Sequence, residues 1–567
     1  MIAAINPYPA KSVVAASGLI HMPSIRYLGI LPAITLLGGA ILLLAVSSLV
    51  TRPLRTTVSS IGTVLISLTA LGFSLWQWSD VTSHGPFTTA ASAVVVDGFA
   101  VLISILVCCS MILTAFVGDG YLRRERIGGS EFHVLALISA SGAILMAEAN
   151  DLIVIFLGLE ILSISLYVLA AFNHKSRASG EAALKYFLLG GFSSAIFVYG
   201  IALTYGATGT TNLIQIADFL GKNALLSNGI LLAGIGLLVV GFAFKVAAVP
   251  FHMWTPDVYD GSPSPITGFM AAVAKAGAFA AMLRVLVSAF GLAQTDWQPI
   301  IYSLAVLSLV TGSVLALRQR NVKRMLAYSS INHAGFILLG VEAATARGAS
   351  SALYYLFVYA FMVIGSFAVL SVLGREGDRE HDIESYRGLS KRQPFLAFSL
   401  AVLLLAQAGV PFTTGLWAKL QVVLAAASAS AAPLAVIAMI TATIAAFFYL
   451  RVATLMYTTK ASSSKRVGAI EDQGIGATKA SLTEEQSIRT SSLWIGLDRN
   501  TMVAERLDAE ILLEDEPYSP TNDKNEKVPV LTGAAIVLCV AFTIIFGIIP
   551  GPILELAHKA TLLFIVR

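Results

Sequence analysis

Fourteen times between residues 28 and 549 the chain runs apolar for long enough to cross about 30 Å of hydrocarbon, which takes ~20 residues of α-helix. These runs lie at 28–50, 57–77, 98–118, 132–148, 151–172, 183–206, 229–250, 264–290, 297–317, 324–343, 350–373, 394–428, 433–457 and 529–549. Each is expected to be a helix, because only helices and closed barrels satisfy every backbone group in lipid and none of the runs alternates with the period of two of a barrel strand. The expected fold is an all-α polytopic membrane protein, in keeping with a charged fraction of 12% against about 25% in soluble domains. The formal net charge of +4 is small for 567 residues and is not gathered into a patch, so no nucleic-acid partner is implied. Cys108, Cys109 and Cys539 sit inside apolar runs and suit neither a metal site nor a disulfide framework. The amino end lacks a basic region followed by a cleavage site, so no removable signal peptide is expected.

Loop charges set the orientation. Arg52 and Arg55, then Arg123, Arg124 and Arg126, then Lys175 and Arg177, then Arg318, Arg320, Lys323 and Arg324, then Lys391 and Arg392 all follow odd-numbered runs. Loops after even-numbered runs carry little beyond Lys222 and Arg347. By the positive-inside rule the odd loops are cytoplasmic and both termini face outward. The link after the seventh run, with Asp257 and Asp260, departs from this bias and reads as partly buried backbone of a broken helix. The expected organisation is a lead over 1–27, three helices over 28–118, five helices over 132–290, five more over 297–457, and a last helix with the C-terminus over 529–567. Residues 460–528 form a polar insertion that cannot bury much apolar surface, apart from a short helix near "VAERLDAEILLEDE". It reads as cytoplasmic and mostly disordered, the other reading being a small docking element.

"GFAFKVAAVPFHMW" (241–254) puts Lys245 in mid-run, five residues before Pro250, and "LAQAGVPFTTGLWAKL" repeats the Val-Pro-Phe triplet at Val410, Pro411 and Phe412 before Lys419. A proline inside a helix removes a hydrogen bond and clashes with the preceding turn, so breaks are expected at Pro250 and Pro411. The echo falls in the seventh and twelfth runs, an offset of five. An odd offset turns the second copy upside down, which predicts inverted five-helix repeats whose broken helices meet at mid-membrane, where transport sites lie.

The ionisable residues near half depth are Glu160 on the fifth run, Lys245, Lys275 on the eighth, His333 on the tenth, and Lys419. Lys185 lies about one turn into the sixth. Charges at helix centres cost roughly 2.5–3.5 kcal/mol each on insertion scales, and so are usually paired or functional. An ion pair of Glu160 with Lys245 or Lys185 would account for two of them and leave an excess of lysines, which favours a proton relay. A desolvated lysine can titrate near neutral pH, and a carboxylate at 4 Å is worth about 4 kcal/mol at an effective dielectric of about 20. Moving Glu160 relative to Lys245 would then switch that amine between holding and releasing a proton. His333 and His252 read equally as stations or as satisfied polar groups; Arg284 is expected to snorkel to the outer surface, and Asp97 to cap the third helix.

"SGEAALKYFLLGGFSSAIFVYGIALTYGATGTTNL" (179–213), "VPFHMWTPDVYDGSPSPITGFMAAVAKAGAFAAMLR" (249–284) and "NVKRMLAYSSINHAGFILLG" (321–340) resemble the antiporter-like membrane subunits of respiratory complex I, the proton-pumping NADH:quinone oxidoreductase, and among them the N type most closely. The resemblance implies fourteen helices with broken helices seven and twelve, and relay roles for Glu160, Lys185, Lys245, Lys275 and Lys419, with His333 and waters between them. Lysine at 419 resembles the N type, since the M type carries glutamate there; the chain also stops soon after its last helix, where the L type carries a long lateral one. NADH, flavin, iron–sulfur clusters and quinone would belong to partner subunits of this translocase, the chain itself having neither a GxGxxG after a strand nor a cysteine cluster. Implied partners are the antiporter-like M subunit and the small K, J and A subunits, in a bacterial cell membrane. The alternatives are a subunit of an Mrp-type cation/proton antiporter and the pumping arm of a membrane-bound hydrogenase.

Overall fold

The computed structural model describes residues 25–223, 228–375, 377–378, 380–458 and 527–560. The 1–24 part of the lead and nearly all of the 460–528 insertion, including its expected short helix, lie outside them. The described residues are almost wholly helical. In chain order come α1 (Leu31–Leu49), α2 (Arg52–His84), a hairpin of β1 (Phe87–Thr89) and β2 (Val94–Val96), α3 (Gly98–Glu125), α4 (Glu131–Glu148), α5 (Leu152–Ala170) and α6 (Arg177–Thr208). Next are α7 (Leu213–Lys222), α8 (Gly229–Val246), α9 (Trp254–Gly261), α10 (Ser264–Phe269), α11 (Lys275–Leu283), α12 (Gln294–Leu317), α13 (Val322–Glu342) and α14 (Ala346–Leu373). The order closes with α15 (Leu389–Arg392), α16 (Pro394–Ala408), α17 (Thr414–Ser428), α18 (Ala432–Tyr457), α19 (Val530–Ile548) and α20 (Gly551–Lys559).

Helices occupy all fourteen apolar stretches, and among the described residues twelve are long and apolar enough to cross a membrane, making this an all-α polytopic membrane protein. The tenth stretch, α13, falls outside the twelve because Tyr328, Ser329, Ser330, Asn332 and His333 interrupt its apolar run; the twelfth is cut into α16 and α17. α2 and α6 begin earlier than their apolar runs, at Arg52 and Arg177, because basic first turns that reach past the run still complete the backbone ladder, and α2 also runs on to His84. The hairpin β1–β2 and the short helix α7 were not expected from the sequence.

A helix buried on all sides belongs at the centre of a bundle. Here that helix is the rod Ser264–Ala289, with every residue buried. It is not a uniform α-helix, because π turns at Met270–Ala274 and Arg284–Ala289 flank α11. A π turn widens the backbone locally and re-aims the side chains beside it. Lys275 follows the first and Arg284 opens the second.

Both expected breaks are present, and they end their first halves the same way. In α8, Ala247 turns left-handed (φ 61°), its N–H donates to the Phe244 carbonyl at 3.1 Å, and the Ala248 N–H reaches back to Ala243 at 2.8 Å. In α16, Gly409 turns left-handed (φ 91°), with its N–H on Ala406 at 2.9 Å and the Val410 N–H on Leu405 at 3.1 Å. This six-to-one and five-to-two bonding satisfies two of the carbonyls that a helix end leaves open. Side chains add to this: Trp254 Nε1 donates to the same Phe244 carbonyl at 3.0 Å, and Lys419 Nζ takes the Ala408 carbonyl at 2.8 Å.

Candidate functional site

Lys245 enters from the last turn of α8 and is 4% exposed. Its amine donates to Ser163 Oγ at 2.7 Å and to Tyr167 OH at 3.3 Å, both on α5. Glu160, Ser163 and Tyr167 share one face of that helix at spacings of three and four. Glu160 is half-buried and accepts from Ser194 Oγ on α6 at 2.5 Å. The Glu160–Lys245 and Glu160–Lys185 ion pairs weighed from the sequence are therefore not formed; hydroxyls on the same face of α5 take the Lys245 amine first.

Lys275 is 2% exposed and donates to both the Ser330 carbonyl and Ser330 Oγ, each at 2.5 Å. Tyr259 of α9 reaches the same hydroxyl at 3.4 Å. One residue earlier on α13, Ser329 shares a hydrogen bond with Tyr449 of α18, and Tyr449 OH contacts His333 Nε2 at 3.0 Å. His333 Nδ1 contacts Tyr355 OH of α14 at 2.6 Å, so both ring nitrogens have partners. Lys419 lies 5.0 Å over the Phe336 ring, one turn along α13 from His333, with its amine on the Ala408 carbonyl. Between Lys245 and Lys275 runs an aromatic wall: Tyr167 packs edge-on to Tyr186, Tyr186 stacks on Trp254, and Trp254 meets Tyr259.

Lys185 lies apart from this interior. It stands about two turns into α6, with 43% of its side chain exposed, and pairs with Glu181 at 2.6 Å and Asp257 at 2.9 Å. Asp257 also binds Arg324 at 3.0 Å, and Asp260 accepts from Asn321 at 2.9 Å. Asp257 and Asp260, expected on partly buried backbone of a broken helix, are about one-third exposed on α9 just past the break, where they balance the basic residues of α6 and α13, which explains their departure from the loop-charge bias. His252 is half-buried beside the break.

Arg284 does not snorkel outward. It is 2% exposed and grips Asp97 with two bonds of 2.9 Å, because the π turn aims it across the bundle at the start of α3. Asp97 does cap α3, accepting from the Ala100 N–H at 2.9 Å. The sequence reading also missed a buried cluster where the 374–388 loop meets the start of the central rod. Asp378 accepts from the Ser264 N–H at 2.9 Å, Lys323 Nζ at 3.1 Å and His381 Nε2 at 3.0 Å. Burial pushes the Asp378 carboxyl up, but Lys323, His381 and Arg124 outweigh it and hold that carboxyl well below the usual carboxylate range. A loop carboxylate gave no periodic signal. The serines and tyrosines on α5, α13 and α18 did have one, polar residues at helical spacing inside apolar runs.

Residues 149–445 match the family described as NADH:quinone oxidoreductase/Mrp antiporter, transmembrane. The NADH-quinone oxidoreductase subunit N of Trichlorobacter lovleyi is 44% identical over 394 residues, 69% of this chain and 80% of that one. The protein of that name from Mycobacterium tuberculosis is 39% identical over 449 residues, 78% of this chain and 73% of its own. Among solved structures, a chain of respiratory complex I from Thermus thermophilus superimposes with a TM-score of 0.69 at 30% identity, covering 93% of this chain and 99% of the other. A chain of the Mrp complex from Dietzia sp. DQ12-45-1b gives 0.74 at 19% identity, covering 94% and 97%, a likeness of fold alone. The family match spans both breaks and all the buried lysines, and the chain belongs to the NADH:quinone oxidoreductase/Mrp antiporter family of transmembrane subunits, among relatives called subunit N.

Proposed function

We propose that this chain is the proton-translocating N-type subunit of a respiratory NADH:quinone oxidoreductase in a bacterial cell membrane. NADH, flavin, iron–sulfur clusters and quinone are handled by partner subunits, and the neighbours in the membrane are the M, K, J and A subunits. The observation that carries this reading is the set of three buried amines, Lys245, Lys275 and Lys419, whose hydrogen-bond partners are hydroxyls and backbone carbonyls. An amine held this way can part with its proton without stranding a buried carboxylate, whereas a fixed ion pair would have to break first. The route runs from Glu160 through Ser163 to Lys245, past the Tyr186–Tyr259 wall to Lys275 and Ser330, then along Tyr449 and His333 to Lys419. Lys185 with Asp257 serves as its approach from the cytoplasm.

The two breaks fit the same reading. An unwound turn on each side leaves carbonyls that a lysine or water can occupy, and matched terminations in α8 and α16 support an inverted repeat of 132–290 and 297–457; the basic loops after odd-numbered runs support termini that face outward. The test is copurification of the tagged chain from its native membrane. A flavin-containing partner that oxidises NADH and reduces quinone is the expected companion. Small antiporter subunits with no redox cofactor would assign the chain to an Mrp-type exchanger instead.

A further inference from the structure

We propose that Glu148 is a proton-holding site at the sealed end of α4, beside the buried Asp97–Arg284 pair; the idea rests on the proton-translocation reading above. Glu148 is the last residue of α4 and 0% exposed. Ser104 of α3 approaches its Oε1 at 3.5 Å, and its Oε2 has no hydrogen-bond partner among the described residues. Arg284 holds Asp97 with two bonds and donates through Nε to the Ala147 carbonyl at 3.0 Å, one residue before Glu148. The ionisable groups acting on Glu148 are Asp97 ahead of α3, Cys108 within α3, and Arg284 on the central rod.

Charge counting leads to the ligand. Two carboxylates and one guanidinium, all ionised, leave a net −1 in a site where Asp97 is 1% and Arg284 2% exposed. Burying one uncompensated carboxylate costs on the order of several kcal/mol, and binding one proton removes that cost. With Arg284 on Asp97, the proton sits on Glu148.

The position suits a holding site at a closed end. Arg284 is nine residues beyond Lys275 on the same rod, about 13 Å toward the face opposite Arg123 and Arg124. Gly277 packs on Ala143, so α4 and the rod run side by side up to the cluster. The cluster is capped there: Asn150 N–H bonds Ala93 of the β1–β2 turn at 2.8 Å, and Gly98 lies against Ala560 after α20. Asp97 stands directly under that cover.

The experiment uses the intact complex in vesicles, parent and Glu148→Gln, read by infrared difference spectroscopy and by protons pumped per NADH oxidised. The expected result is a protonated-carboxyl band in the parent that is lost in E148Q, a fall in the pumping ratio, and recovery of both in Glu148→Asp. Arg284→Lys keeps the charge but loses the two-pronged grip, and is expected to shift the band. An unchanged band, or an unchanged pumping ratio in E148Q, overturns the proposal. Lys245→Ala in the same preparation separates the two ideas. Normal pumping there defeats the translocation reading itself, whereas lost pumping there beside parental pumping in E148Q defeats the Glu148 site alone.

Discussion

Replacing Asp378 by alanine takes the shared acceptor away from Lys323, His381 and the Ser264 N–H at once. Lys323 is 1% exposed, so its amine is left as an uncompensated buried charge. Breaking a buried pair in this way costs about 3–5 kcal/mol, which is between two and nearly four orders of magnitude in the equilibrium between closed and open loop. Backbone exchange reads that equilibrium directly. The amides of Val322 and Ile383 tie the loop to the start of α13 by bonding His381 and Arg320 carbonyls, each at 2.7 Å. In hydrogen–deuterium exchange of the purified complex, both should exchange about a hundredfold faster or more in Asp378→Ala. Exchange within about threefold of the parent would refute the claim that this carboxylate closes the loop. The pH dependence follows with a definite sign. Because the folded carboxyl is held below its usual range, its stabilisation is complete above the unfolded value near pH ~4 and disappears as pH falls through the folded value. The parent loop is expected to open in acid, below about pH 4, and the alanine variant to show no such acid step.

Other consequences are open to measurement. Tyr449→Phe removes the hydroxyl shared by Ser329 and His333, and is expected to slow proton pumping while NADH oxidation in uncoupled membranes continues; equal pumping would take Tyr449 out of the route. Lys419→Arg keeps a charge, but the larger, permanently protonated head cannot release a proton on the Ala408 carbonyl, so it should pump no better than Lys419→Ala. Gly415→Ala drives a methyl group into the Ala406 carbonyl across the second break, and should lower the amount of assembled subunit in membranes; normal levels would show that α16 and α17 can separate.

What was legible in the sequence was whatever periodicity or hydrophobic length could encode. The helices, the two proline breaks and the burial of Lys245, Lys275 and Lys419 all follow from a charge or an imino ring inside an apolar run. Partners were less legible. Glu160 and Lys245 look like an obvious ion pair when only their depths are known, yet Ser163 and Tyr167 lie on the same face of α5 and bind the amine first. Arg284, expected at the outer surface, is held inside because it opens a π turn, which no residue pattern announces, and meets the buried Asp97. Glu148 and Asp378 were passed over as end-of-helix and loop acids, since burial there depends on a hairpin and a loop folding back from elsewhere in the chain.

The central claim is that buried amines carry the proton, with Lys245 the first of them. The most direct measurement is the number of protons pumped per NADH oxidised by an assembled complex carrying Lys245→Ala, with assembly checked by subunit content. A marked fall with the complex intact is the predicted result. An intact Lys245→Ala complex that pumps at the parental ratio would contradict the account.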